Sequence, residues 1–252
     1  IDLVVTSPPY PMIEMWDDVF TTLDPAIGNA LSAGNGDHAF ELMHDVLETV
    51  WDEITRVLAP GGLACINVGD ATRSVDGEFR LWPNHTEITS RLRDCGLSSL
   101  PDILWRKPTN SPNKFMGSGT IPTNAYPTLE HEHVLLFRNG STRSFPPGDD
   151  RRYESAYFWE ERNEWFADLW ELTGTDQAMA DGLRDRSGAF PLAVPLRLIA
   201  MFSTYGDTVL DPFWGTGSTS LAAMLTGRSS VGYELDAELR AAFDDRIDDL
   251  SE

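Results

Sequence analysis

Apolar residues in this chain follow two periodicities. Asp2-Leu-Val-Val5 is a short β-branched run that predicts a buried strand, and Leu63–Val68, Ile103–Trp105, Asp207–Leu210 and Ser229–Tyr233 predict further strands. Elsewhere the spacing is helical. Phe40, Met43, Leu47, Val50, Trp51, Ile54 and Leu58 line one face of a long helix that Asp37 caps, and this stripe reads as core packed on a sheet. Shorter helices are expected at Glu87–Asp94, Ser220–Leu225 and, with amphipathic spacing, Ala237–Ile247. Strands alternating with helices predict an α/β fold built on one Rossmann-like sheet. Pro11–Asn35 reads as an irregular, flexible flap, and Thr109–Thr128, rich in Gly, Pro and Asn, as a long loop.

Two of the predicted strands end in chemically informative turns. Thr6-Ser7-Pro8-Pro9-Tyr10 follows the first strand. Its consecutive prolines have fixed φ and no N–H, so the chain can neither extend the ladder nor enter a helix. The Ser7 and Pro8 carbonyls are thus free acceptors on a stiff corner. An exocyclic amino group on a nucleic-acid base is a poor nucleophile because its lone pair is delocalised into the ring. Acceptors at its protons, from the Ser7 hydroxyl and the Pro8 carbonyl, favour a more tetrahedral nitrogen and stabilise the charge that develops on alkylation. Tyr10 offers a flat ring for an extruded base.

The second turn is Asp211-Pro-Phe213-Trp-Gly215-Thr-Gly217-Ser-Thr219, between a strand and a helix. Its glycines let backbone approach a ligand, and the helix start offers N–H groups to an anion. Glu234 ends the next predicted strand, where a carboxylate suits ribose hydroxyls.

The chain resembles the DNA amino-methyltransferases of the circularly permuted β group, in which the catalytic motif precedes the cofactor motif. The resemblance covers about 1–138 and 165–246. Ser7-Pro8-Pro9-Tyr10 matches the catalytic tetrapeptide, Leu58-Ala-Pro-Gly-Gly62 a common turn, and Ile103–Pro108 and Leu129–Arg138 two later strands. Phe190-Pro191 resembles the second cofactor segment.

The family implies a class I methyltransferase sheet and direct methyl transfer from S-adenosylmethionine, with no covalent base intermediate and no metal. Catalytic roles then fall to Ser7, Pro8, Pro9 and Tyr10, and cofactor contacts to Asp211, Phe213, Gly215, Gly217, Thr219, Glu234, Phe190 and Pro191. Ser at the first tetrapeptide position goes mostly with cytosine N4 in this family, and Asp with adenine N6. Cytosine is therefore the expected target, with adenine as the alternative; an RNA or protein-glutamine methyltransferase and a catalytically silent DNA-binding relic are remoter ones. The family's acidic strand upstream of the catalytic strand has no counterpart before Ile1, so nothing here is assigned to the adenine end of the pocket.

By the same resemblance, 1–138 forms the catalytic half of the methyltransferase domain, 139–187 a target-recognition insert and connector, and 188–252 the cofactor-binding half. Asn139–Trp170 interleaves arginines with aromatics, a composition suited to phosphate contact and base stacking. Lys107, Lys114, Arg143, Arg151 and Arg152 are the expected contacts to double-stranded DNA with a flipped base, and the loop at Thr109–Thr128 is expected to order over it. A cognate restriction nuclease and a second copy of the chain are partners the resemblance leaves open.

Composition bounds these expectations. At 252 residues the chain suits one sizeable α/β domain. It has no run apolar and long enough to span a membrane, and its two cysteines show no metal or disulfide pattern, which points to a reducing, cytoplasmic setting. Neither Cys65 nor Cys95 lies in the Pro-Cys context of carbon-5 methylation, which needs a thiolate. A net charge of −21 is unusual for a DNA-binding protein. Residues 101–165 nevertheless carry eight basic against nine acidic side chains, and Lys107 and Lys114 are the only lysines. An acidic, lysine-poor surface predicts a halophilic protein, since multimolar salt screens carboxylate repulsion. His131 and His133 alternate on one strand face with no third metal ligand evident, while His38, His44 and His85 read as solvent or cap positions.

Overall fold

The computed structural model describes residues 1–107, 116–172 and 190–251. Strands β1 (Leu3–Thr6), β2 (Leu63–Val68), β3 (Ala71–Val75), β4 (Glu78–Trp82), β5 (Ser98–Ser99), β6 (Ile103–Arg106), β7 (Met116–Gly117), β8 (Ala125–Tyr126), β9 (His131–Arg138), β10 (Leu169–Glu171), β11 (Thr208–Asp211) and β12 (Ser229–Gly232) are joined by nine described helices. These are α1 (Asp17–Leu23), α2 (Pro25–Ser32), α3 (Gly36–Val57), α4 (Asn84–Asp94), α5 (Asp150–Glu154), α6 (Trp159–Trp165), α7 (Ala193–Phe202), α8 (Ser218–Leu225) and α9 (Glu238–Ser251).

The main sheet runs β10-β6-β9-β2-β1-β11-β12, with β5 also pairing to β9. β1 lies between β2 and β11, parallel to both, and β12 continues the parallel set. β9 is antiparallel to β2 and β6. The mixed α/β sheet expected from the sequence is present, parallel at its centre and covered on both faces. Burial on both sides explains why β1 and β2 read as continuous apolar runs. Val4, Ala64, Ile66 and Val68 pack with Met43, Leu47, Trp51 and Ile54 of α3, whereas Leu3, Val5 and Cys65 pack with Val194, Leu198 and Ile199 of α7 and Ala222 of α8.

Several local expectations are corrected. The segment 11–35 is not an irregular flap: a 3-10 turn at Glu14–Trp16 is followed by α1 and α2. Asp24 caps α2 by accepting from the Ala26 amide, Pro25 sits in its first turn, and Phe20 and Ile27 are fully buried. Asn35 caps α3, where Asp37 was expected. An unanticipated hairpin, β3–β4, turns at Asp76-Gly77, a pair whose positive φ angles suit a two-residue connection. His44 is no surface residue: it is fully buried, and burial lowers its pKa to about 3.

The described part of 139–172 does not stand apart from the sheet. It contributes β10, parallel to β6, and Trp105 Nε1 donates to the Leu172 carbonyl at 3.0 Å. Within the expected loop at 109–128, residues 109–115 fall outside the described set, and β7 and β8 form a small ribbon. Among the described residues, no helix is long and apolar enough to cross a membrane.

Candidate active site

Parallel neighbours in a sheet release their loops at the same edge. Val4 of β1 lies opposite Leu210 of β11, so the Ser7–Tyr10 corner and the glycine turn leave the sheet side by side. Thr6 Oγ1 donates to Asp211 Oδ1 at 2.5 Å, and Thr219 Oγ1 donates to the Val5 carbonyl at 3.3 Å. Both bonds are buried, and each ties a residue of one end of the chain to the other end.

A polar network supports the diproline corner. Asn67 Nδ2 donates to Tyr10 Oη at 2.9 Å and to Glu132 Oε2 at 2.7 Å, with Ser7 Oγ at 3.4 Å. Tyr10 Oη donates to Glu132 Oε2 at 3.0 Å and lies 3.0 Å from Ser7 Oγ. Lys107 closes the network through its ammonium on Glu132, 4.4 Å from the Trp105 ring centre. Asn67 Oδ1, although buried, has no hydrogen-bond partner among the described residues. Burial first, and then the Glu132 charge, raise the Tyr10 pKa well above its ordinary value, so the phenol stays protonated and can donate.

The loop beyond Tyr10 is clamped. Asn84 Nδ2 donates to the carbonyls of Pro11 (3.1 Å) and Gly69 (3.0 Å). Met12 has φ +66°, a sparsely populated region for methionine; its side chain is buried and its amide faces Met43 Sδ at 3.3 Å.

The glycine turn divides its work. Gly215 has φ +53°, and a Cβ there would meet nothing closer than a carbonyl at 3.9 Å, so this backbone borders open space. Gly217 has φ +75°, and a Cβ would fall 2.3 Å from the Phe243 ring, so here the missing side chain permits packing. Glu234 accepts from the Gly215 amide at 2.8 Å and the Asp236 amide at 2.9 Å, bracing the turn from the end of β12. Asp211 is 3 % exposed, and burial raises its pKa to about 6 against the bonds from Thr6, Thr219 and the Phe213 amide, which lower it.

Residues 1–244 match the DNA methylase family N6_N4_Mtase. The chain belongs to this family. It is 50% identical to the type II methyltransferase M.MthZI of Methanothermobacter thermautotrophicus, over 99% of this chain and 72% of that protein. Identity is 48% to M.MjaI, a type II methyltransferase of Methanocaldococcus jannaschii, over 98% of this chain and 85% of that one. Among solved structures, TTHA0409 from Thermus thermophilus, complexed with S-adenosyl-L-methionine, superposes with TM-score 0.75 at 30% identity, covering 98% of this chain and 84% of its own. The cytosine-N4-specific PvuII DNA methyltransferase shares the fold, with TM-score 0.62 at 18% identity over 98% of this chain and 79% of that one. The fold is thus the Rossmann-like sheet of DNA methyltransferases, and the protein is a DNA methyltransferase.

Within that family frame, Ser7, Pro8, Pro9, Tyr10, Asp211, Phe213, Gly215 and Lys107 gather at the C-terminal edge of the parallel strands, with the exposed Glu234 beside the turn at the Gly215 amide. Thr219 is turned into the sheet toward β1, and Phe190 is buried in the core against α7, with Pro191 opening that helix. Lys114 lies outside the described residues.

Three arginines lie away from this corner. Arg143 forms a bidentate pair with Asp207, at 2.5 and 2.8 Å, at the opposite, N-terminal end of β11. Together with Asp2, Phe145 and Arg152 it lines a cavity of about 430 Å³ there. Arg151 is paired with Asp149, and Arg152 is exposed beside Phe145.

Asn67 and Glu132 are site residues that sequence reasoning missed. A buried Asn in an apolar strand demands partners, and that was the available signal for one of them. Glu132 lay hidden between two histidines on β9.

Proposed function

We propose that this DNA methyltransferase methylates the exocyclic N4 of cytosine in double-stranded DNA, on a base extruded against the diproline corner. The observation that carries the reading is the hydrogen-bonded line Ser7–Tyr10–Glu132, braced by Asn67 and Lys107. S-adenosylmethionine is the methyl donor and supplies an electrophilic carbon on a sulfonium. The open backbone at Gly215, the buried Asp211 carboxylate and the carboxylate of Glu234 fit such a cationic, ribose-bearing molecule.

Every remaining step falls to protein groups. Ser7 Oγ and the Pro8 carbonyl accept from the two amino protons, hold the nitrogen lone pair out of conjugation and stabilise the positive charge that nitrogen acquires. Pro9 stiffens the corner. Tyr10 presents its ring to the base and its hydroxyl to Glu132. After transfer the nitrogen carries one proton too many. That proton passes to Ser7 Oγ as the serine proton moves to Tyr10 and the tyrosine proton to Glu132, from which it reaches solvent. Each group ends one proton transfer further along, with no net charge left on Ser7 or Tyr10.

The catalytic strand preceding the cofactor strand is the order of the β group, and pairing with a type II restriction nuclease fits a site-specific enzyme. Lys107, at the working edge, is a DNA contact, and Lys114 remains a second one proposed from the sequence, with the aromatic segment from Asn139 engaging the target sequence.

The test is nucleoside analysis of DNA methylated in vitro. N4-methylcytosine is expected, and a product containing N6-methyladenine alone overturns the base assignment. Ser7→Ala should lower kcat by about 100-fold, as loss of one polarising contact does elsewhere. Unchanged turnover in that variant would remove Ser7 from the chemistry.

A further inference from the structure

The fold gathers a histidine-rich cluster that methyl transfer does not use. Asp70 follows β2, His85 lies in the first turn of α4, and His133 stands on β9 opposite Val68. One donor atom from each of the three lies within 4.8 Å of the others. We propose that Asp70, His85 and His133 bind a divalent transition-metal ion of the zinc class. The proposal does not rest on the assignment of base or methyl donor.

The donor set argues for the ion. Two imidazole nitrogens and one carboxylate oxygen suit zinc, cobalt or nickel, whereas magnesium and calcium favour all-oxygen shells. Asp70 is only 8 % exposed at its side chain, and its single ion-pair partner among the described residues is His85, with Nδ1 at 2.8 Å. That partner is a histidine whose bridging proton a metal ion can displace. The His85 and His133 rings are stacked 4.0 Å apart and 9° from parallel, and the His131 ring lies 5.2 Å from that of His133.

Asp102 Oδ2 lies 3.5 Å from His133 Nδ1. A carboxylate behind an imidazole sets its tautomer and raises its basicity, a usual companion of a ligating histidine.

Bonds of about 2.0–2.1 Å place tetrahedral donors about 3.4 Å apart, so the cluster closes by side-chain rotation that brings the lone pairs to one point. Exposed His131 or water completes the shell. The ion would pin β2 and β9 to the start of α4. Asn84, beside His85, already holds the Pro11 and Gly69 carbonyls, so the same ion would brace the loop behind the catalytic tetrapeptide.

Untagged, chelator-stripped protein titrated with zinc chloride by calorimetry should bind one equivalent with Kd of about 10 µM or tighter, and cobalt chloride should give the visible bands of a four- or five-coordinate ion. Zinc at about a hundredfold excess over Kd should raise Tm by about 5 °C or more. His85→Gln and His133→Asn should each weaken binding by about 30-fold or more, while His38→Asn, on α3, leaves it unchanged. Circular dichroism confirms that the variants fold. The wild-type titration stands without them: absence of a saturable equivalent overturns the proposal, as does zinc affinity undiminished in both ligand variants.

Discussion

Asp211→Asn should make the protein more stable and less active, and the gain should depend on pH in a defined way. The Asp211 carboxyl is 3 % exposed, and burial lifts its pKa from 3.8 to about 6. Below the lower value both folded and unfolded chains carry the proton, and the site imposes no electrostatic penalty. Between the two values the unfolded chain ionises while the folded one resists, so wild-type stability declines as pH rises. Above about 6 the loss is complete. At about 1.4 kcal/mol per pH unit it amounts to about 3 kcal/mol.

Asparagine keeps an oxygen to accept from Thr6 Oγ1 and the Phe213 amide and cannot ionise. Urea unfolding of both proteins from pH 4 to pH 7.5 should show the variant's advantage growing by about 3 kcal/mol across that window. Taking the difference at each pH cancels the other acids and His44, and any fixed cost of the amide. An advantage that stays level with pH would show that Asp211 is not a buried charge, and the reasoning would fail. The same variant should bind S-adenosylmethionine more weakly, since the proposed cofactor site then lacks a carboxylate that it keeps at the expense of stability.

Arg143→Ala leaves Asp207, 4 % exposed, without its guanidinium and should cost about 2 kcal/mol of stability by urea unfolding, discounted from a fully buried pair because Arg143 is partly exposed. The salt dependence of DNA binding should be unaltered by that change; a slope reduced by about one would give Arg143 a phosphate contact after all. Gly217→Ala meets the Phe243 ring at 2.3 Å with φ +75° and should lose about 2 kcal/mol or more, whereas Gly215→Ala should lose about 1 kcal/mol yet impair cofactor binding in calorimetry. Equal effects of the two alanines on folding and binding would contradict the division of labour in the turn. With a net charge of −21, Tm should rise as potassium chloride goes from about 0.1 M to about 2 M, and a flat or falling Tm would rule out halophilic adaptation.

The shape of the candidate site was legible where it is carried by backbone. Pro8-Pro9 and the Gly215–Gly217 turn impose their conformations locally, and apolar runs at β1, β2 and β11 could only be buried strands. The long α3 stripe was equally clear, because helical periodicity over many residues has no competing explanation. Short elements were missed where a local signal, such as Asp24-Pro25 or Asp76-Gly77, was outweighed by surrounding glycines and polar residues. Arg143 shows what local sequence cannot supply. Its type and neighbours suggested DNA, and the partner it holds in the structure, Asp207, is 64 positions away in sequence.

The sequence by itself determined the alternation of strands and helices, the stiff corner at Ser7–Tyr10, the glycine turn at Asp211–Gly217 and the order of the two along the chain. All of these follow from conformational preferences of adjacent residues. Tertiary structure alone decided that Thr6 bonds Asp211 across 205 positions, that Asn67 and Glu132 hold Ser7 and Tyr10, and that Asp70 and His85 come within 4.8 Å of His133. The reason is physical. Hydrogen bonding and charge act over a few ångströms in space, and which distant residues come that close is set by strand order and register, whose energy is spread over the whole core.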